Sequence, residues 1–104
     1  MLTIMCLRDI CHDVNIALTK HANDRLRERG INIDDIKYAI QHGEIIRQYE
    51  DDKPFQSCLL LGKAENGEDI HVVASTDAGT LYIITAYYPD NTEWELDLKT
   101  RRRS

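Results

Sequence analysis

At Gly43 the spacing of apolar residues changes from a helical period to a strand period, and this switch restricts the possible folds more than any other feature of the chain. Ahead of it, Leu7, Ile10, Cys11 and Val14 follow an i, i+3, i+4, i+7 pattern. That pattern predicts an amphipathic helix over the opening dozen residues, ending near Asp13. Asn15 to Leu18 read as a short extended link, and Thr19 offers a side-chain cap to a second helix over Lys20 to Arg29, which Gly30 terminates. Asn32 caps a third helix with Asp34 and Asp35 in its first turn, where carboxylates meet the positive end of the dipole; Ile33, Ile36, Ala39 and Ile40 form its apolar face.

Beyond Gly43, Ile45, Arg47 and Tyr49 are expected on one face of a strand and Ile46, Gln48 and Glu50 on the other. Asp51 to Pro54 makes a turn. Ser57 to Lys63 and Asp69 to Ser75 are two further strands joined through Asn66-Gly67, and Asp77 to Gly79 turns into Leu81 to Tyr87. Pro89 cannot continue a ladder. Trp94, Leu96 and Leu98 alternate as an edge strand or an extended arm would, and residues 100–104 form a basic tail expected to fray. The expected fold is therefore α+β: two or three N-terminal helices, the first within residues 1–14, packed on a four-stranded antiparallel sheet.

A chain of 104 residues suits one hydrophobic core, so a single domain over 1–104 is expected. The net charge of −5 repels phosphate at long range, which argues against a general nucleic-acid binder and requires any such contact to use a local basic patch. Cys6, Cys11 and Cys58 are odd in number and lack a Cys-x-x-Cys spacing, as reduced core thiols do. No segment approaches the roughly 20 apolar residues of a membrane span, and the start of the chain has no basic stretch followed by a long apolar run. A cytoplasmic protein is expected.

The second helix carries the pattern most suggestive of chemistry. His21, Arg25 and Arg29 stand at i, i+4 and i+8, which stacks an imidazole and two guanidiniums along one face while Ala22 and Leu26 point to the core. Guanidinium forks match phosphate oxygens and an imidazole exchanges a proton near neutral pH, so the stripe suits phosphodiester chemistry without a metal. Arginines on an exposed helix face equally pair with neighbours such as Asp24 and Glu28. His71 lies within a strand, where a hydrogen-bonded structural histidine is the commoner role. If Tyr87 shares the face of His71 and Arg47, a base or ribose can rest there, with Tyr49 available for stacking. The four histidines have no metal-ligand spacing, and no phosphate loop or nucleophile elbow is present; no cofactor is expected.

The run from His21 to Ile31, HANDRLRERGI, resembles the HAxxRxxERGI signature of domain-of-unknown-function family 4258. The likeness continues through Gly43-Glu44-Ile45-Ile46, Tyr49, the segment Pro54 to Gly62, His71-Val72-Val73, Thr85 to Asp90, Trp94 and Arg101-Arg102. That family looks related to the RelE and BrnT toxins, which implies a compact RelE-like fold. It also implies a metal-independent endoribonuclease of a toxin-antitoxin system, acting on RNA and held by a small antitoxin protein. Carried over by position, the resemblance singles out His21, Arg25, Arg29, Tyr49, His71 and Tyr87. His21, Arg25, Arg29, His71 and Tyr87 are then the expected catalytic set, and Arg47 and Tyr49 the substrate-binding pair. The rival expectation is a non-catalytic protein-binding module or a degenerate relative, using the helix stripe and the Trp94 arm as its interface; the acidic charge favours it.

Overall fold

The computed structural model describes residues 1–102. Its architecture is α+β, with three helices and a five-stranded mixed sheet. Helix α1 is Ile4–Asp9, α2 is Lys20–Glu28 and α3 is Ile33–His42; the strands are β1 (Ile16–Leu18), β2 (Glu44–Tyr49), β3 (Ser57–Lys63), β4 (Asp69–Asp77) and β5 (Thr80–Tyr87). The sheet order is β1-β5-β4-β3-β2. Strands β2 to β5 form the antiparallel meander that the alternating pattern predicts.

The sheet and the first helix depart from the sequence expectation. The sheet has a fifth strand, because Ile16 to Leu18 is a strand paired parallel to Leu81–Ile83 rather than a free link. The first helix stops at Asp9, and a 3-10 turn over Asp13–Asn15 follows. Cys11 to Asn15 is a run of weak helix formers, so nothing local propagates the helix beyond its last apolar contacts. Leu7 and Cys11 still reach the core, but Val14 is 93% exposed.

The third helix is anchored at both ends. Asn32 and Asp35 form a reciprocal capping box, and the second Asp35 oxygen accepts from Glu65 N–H at 3.0 Å, tying the helix start to the β3–β4 hairpin. At its other end Arg8 of α1 donates to Ile40 O and Gly43 O, at 3.0 and 2.9 Å, so a guanidinium satisfies carbonyls at the C-terminus. Between these anchors α3 lies backbone-close on the sheet. A Cβ on Gly62 would stand 2.6 Å from Ala39 O and 2.8 Å from Ala39 Cβ. The core forms between the helices and one sheet face, joining Leu7, Leu26, Ile36 and Ile40 to Leu60, Val72 and Leu81.

Hairpin signals in the sequence hold: Gly67 has φ +86° in the β3–β4 turn, and Ala78 and Gly79 have φ +49° and +84° in the β4–β5 turn. Among the described residues after Pro89 there is no edge strand. Residues 90–102 fold back as a turn-rich arm with a bridge between Trp94 and Arg101; Trp94 is buried, and Arg102 bonds Asn91 O and Glu95. The tail expected over 100–104 lies outside the described residues from 103 onward. Cys11 and Cys58 are buried as expected. Cys6 is exposed, since its neighbour Leu7 takes the inward direction on α1 and one residue along a helix turns the side chain by about 100°.

The close approach at Gly62 has a measurable consequence. Gly62→Ala should lower unfolding stability by about 1–3 kcal/mol through overpacking against the α3 backbone. Urea denaturation monitored at Trp94 checks this, and an unchanged midpoint would contradict the contact.

Candidate functional site

With the helices on one face, the opposite sheet face gathers polar and aromatic side chains among the aliphatic Leu59, Leu61 and Val73. The register sorts them into three rows. Tyr49, Ser57, Ser75 and Tyr82 pair across β2 to β5, with Ala17 of β1 beyond them; Arg47, Leu59, Val73 and Thr85 make the next row; Glu44, Leu61, His71 and Tyr87 the third. Arg47, Tyr49, His71 and Tyr87, proposed from sequence as neighbours, therefore do share a face. Ile45 does not join them. A register shift between Ile45 and Arg47 puts Ile45 opposite Leu60 on the core side, so the expected grouping of Ile45 with Arg47 and Tyr49 is corrected.

The helix stripe reaches this face from the β5 side. Thr19 caps α2 by accepting from Ala22 N–H at 3.0 Å, and Ala22 and Leu26 are buried, which turns His21, Arg25 and Arg29 outward. Strand β1 covers only the first half of β5, so the Ala86 carbonyl lies beyond its partner's reach. Arg29 Nη1 donates to that carbonyl at 2.9 Å and to the Thr85 hydroxyl at 3.1 Å. Neither acceptor is charged, so the guanidinium keeps its positive charge beside the open face. Arg25 meets Glu28 at 3.6 Å, with both side chains about half exposed or more, and such a pair holds weakly in water.

His21 stands at the rim of a cleft of about 450 Å³ between α2, the first row of the open face and the β2–β3 loop. Ser75 and Tyr82 contribute from the sheet; Asp52, Lys53 and Phe55 contribute from the loop. The Phe55 and Tyr82 rings are nearly parallel, at 15° with centroids 6.1 Å apart. Tyr82 is among the tyrosines the sequence offers for base stacking, whereas Phe55 is not singled out by it. A Phe in a polar turn next to Pro54 is the available signal, because an aromatic that the turn itself does not require is often placed for contact.

The His71 end is built differently. The imidazole is fully buried, edge-on to Trp94 with ring centroids 4.5 Å apart, and the C-terminal arm closes over it. Its Nε2 lies 2.8 Å from Leu98 O and its Nδ1 lies 3.2 Å from the Tyr87 hydroxyl. A carbonyl only accepts, so Nε2 carries the proton and Nδ1 accepts from Tyr87. Burial lowers the His71 pKa, outweighing the Leu98 carbonyl bond and the Asp69 charge, which both raise it. Burial likewise raises that of Tyr87, helped by Tyr49 and Glu93 and opposed by Arg101 and Arg29. His71 is thus a neutral clasp for the arm, with neither ring nitrogen free to exchange a proton with a bound substrate. Arg101 completes the clasp by lying 5.7 Å over the Trp94 ring.

The structure thus divides the five expected catalytic residues into two groups: His21, Arg25 and Arg29 along α2, and His71 with Tyr87 near the arm. Arg47 and Tyr49 lie on β2 at the far side of the sheet, three strand spacings or about 14 Å from β5. Among the described residues no group of three or more His, Cys, Asp or Glu side chains is arranged to hold a metal ion. No helix among them is long and apolar enough to cross a membrane.

A family model described as "Domain of unknown function (DUF4258)" matches residues 18–88, from the end of β1 through β5. The chain belongs to the DUF4258 family. The matched span includes the α2 stripe and every cleft-lining residue except Ala17, and leaves out the arm that covers His71. No curated protein matches the chain.

The clasp predicts a pH dependence with a definite sign. A histidine whose native pKa lies below its ordinary 6.5 stabilises the fold fully above that value and loses the contribution as pH falls through the lowered native pKa. Thermal unfolding of the intact protein should therefore move to lower temperature as pH is reduced below 6.5, and His71→Asn should flatten that part of the profile. An identical slope in the variant would contradict a buried neutral His71.

Proposed function

We propose that this DUF4258 protein is a metal-independent endoribonuclease that binds a single RNA strand along α2 and cleaves it beside the cleft. The observation that carries the reading is the placement of His21 on the cleft rim, at the head of a helix stripe whose next two positions are guanidiniums. Four residues of helix rise about 6 Å, so the three groups form a ladder along which a strand can lay its backbone. The apparent kinship of the DUF4258 family with RelE and BrnT toxins supports the same chemistry, a RelE-like grouping of the fold, a cytoplasmic setting and a small antitoxin partner.

In this reading His21 takes the proton from a ribose 2′-hydroxyl as its oxygen attacks the adjacent phosphorus. The P–O5′ bond breaks, leaving a 2′,3′-cyclic phosphate, and the departing 5′ oxygen takes a proton from water while His21 returns its own to solvent. Arg25 exchanges its weak pairing with Glu28 for a phosphate oxygen. Arg29, fixed on Ala86 O and Thr85 through one nitrogen, offers its remaining N–H groups to the charge that builds in the transition state. His71 and Tyr87 maintain the sheet face and the arm, without a part in the proton transfers.

A second reading has its own supporting observation. The net charge of −5 and the pairing of Lys20 with Asp24 and Arg25 with Glu28 make α2 less attractive to a polyanion than its arginines suggest. These features favour a module that binds a basic protein without catalysis.

Incubation of the purified protein with single-stranded RNA in a metal chelator separates the two. The ribonuclease should yield fragments ending in 2′,3′-cyclic phosphate and 5′-hydroxyl, and His21→Ala should slow the reaction by about 10²–10⁴-fold. No cleavage by the wild type, or an unchanged rate in the variant, would overturn the proposal.

A further inference from the structure

We infer that the cleft beside His21 is a subsite for one unpaired guanine base; this rests on the reading of the protein as an RNA-cleaving enzyme and names the base it selects. The volume of about 450 Å³ lies within the range of small-molecule sites. The near-parallel Phe55 and Tyr82 rings provide a π surface, and Phe55 is 38% exposed, so a planar ring can reach it. Base stacking on such rings is tolerant of base identity, so selectivity has to come from the polar groups beside them.

Those groups are Asp52 and Lys53, consecutive residues on the same loop and both lining the cleft. The buried Ser57 hydroxyl donates to Asp52 Oδ2, and Asp52 N–H donates to Tyr49 O, which fixes the carboxylate while leaving Oδ1 free of a protein partner among the described residues. The site therefore offers an anchored acceptor and a solvent-exposed cationic donor. On its Watson–Crick edge guanine presents two adjacent donors, N1–H and N2–H, followed by the O6 acceptor. The donors suit the carboxylate and O6 suits the Lys53 ammonium. Adenine and cytosine offer a single amino group next to a ring nitrogen that repels a carboxylate, and uracil sets its one N–H between two carbonyls. The charge pattern of the cleft is thus complementary to guanine and to none of the other three.

The test uses the intact protein and short uridine-rich strands that are 2′-O-methylated, so that binding is read without cleavage, each with one central guanosine, inosine or adenosine. Inosine keeps N1–H and O6 but lacks the N2 amine. Fluorescence anisotropy should show the guanosine strand bound about 5- to 150-fold more tightly than the adenosine strand, with inosine between them. Asp52→Asn, which still accepts from Ser57, should abolish the guanosine preference, and Phe55→Ala should weaken all three strands by about 5- to 150-fold. Equal binding of the three strands, or a guanosine preference that survives Asp52→Asn, would overturn the subsite. Guanosine selectivity without cleavage of unmodified RNA contradicts the ribonuclease reading alone. Cleavage dependent on His21 but indifferent to base contradicts the guanine subsite alone.

Discussion

The α3 backbone resting on Gly62 is the contact from which the rest of the molecule is organised. Where Ala39 meets that glycine, the helix comes closer to the sheet than any side chain would allow, and its two ends are held there by Asp35 and Arg8. Ile36 and Ile40 then share one buried core with Leu60 and Val72 on this side of the sheet. Hydrophobic burial supplies the driving force, while hydrogen bonds at the helix ends fix where it is realised. The strands consequently split into a face of apolar side chains against the helices and a mixed face, on which Ser57, Leu59, His71 and Ser75 are buried while Arg47 and Tyr49 are exposed.

That asymmetry explains how a small acidic chain can present a local cationic, aromatic surface. The parallel pairing of β1 with the first half of β5 delivers α2 alongside the sheet edge and places His21 next to Tyr82. Past the end of β1 the edge carbonyl of Ala86 has no strand to bond it, and Arg29 fills that role. The same guanidinium therefore completes the fold and charges the open face. At the opposite end of that face the arm covers His71 and Trp94, while Tyr49 and Tyr82 keep part of their surface exposed.

Local signals made much of this legible. The caps at Thr19 and Asn32, the glycine that ends α3 and the Asn66-Gly67 turn all act within a few residues, and each is where the sequence pattern puts it. The i+4 stripe of His21, Arg25 and Arg29 needed only the helix to be correct. What escaped depends on partners distant in sequence. Three residues of β1 give too short an alternation to be recognised, and their strand identity comes from Leu81–Ile83, far along the chain. A shift of one residue after Ile45 reverses which side chains point outward, and another between Val73 and Ala74 leaves Ile84 half exposed. Nothing near His71 in sequence reveals that Leu98 and Trp94 will bury it. Phe55 sits in a turn whose aromatic gains meaning only once Tyr82 is seen beside it.

In the proposed function a single RNA strand lies along α2 and across the adjoining cleft. Amide chemical-shift mapping during titration with a non-cleavable single-stranded RNA reads that contact residue by residue. Perturbations concentrated at His21, Arg25, Phe55 and Tyr82, with the α3 helix and the β3–β4 hairpin unaffected, are the predicted result. A footprint confined to α3 and that hairpin, or no footprint at all, would contradict it.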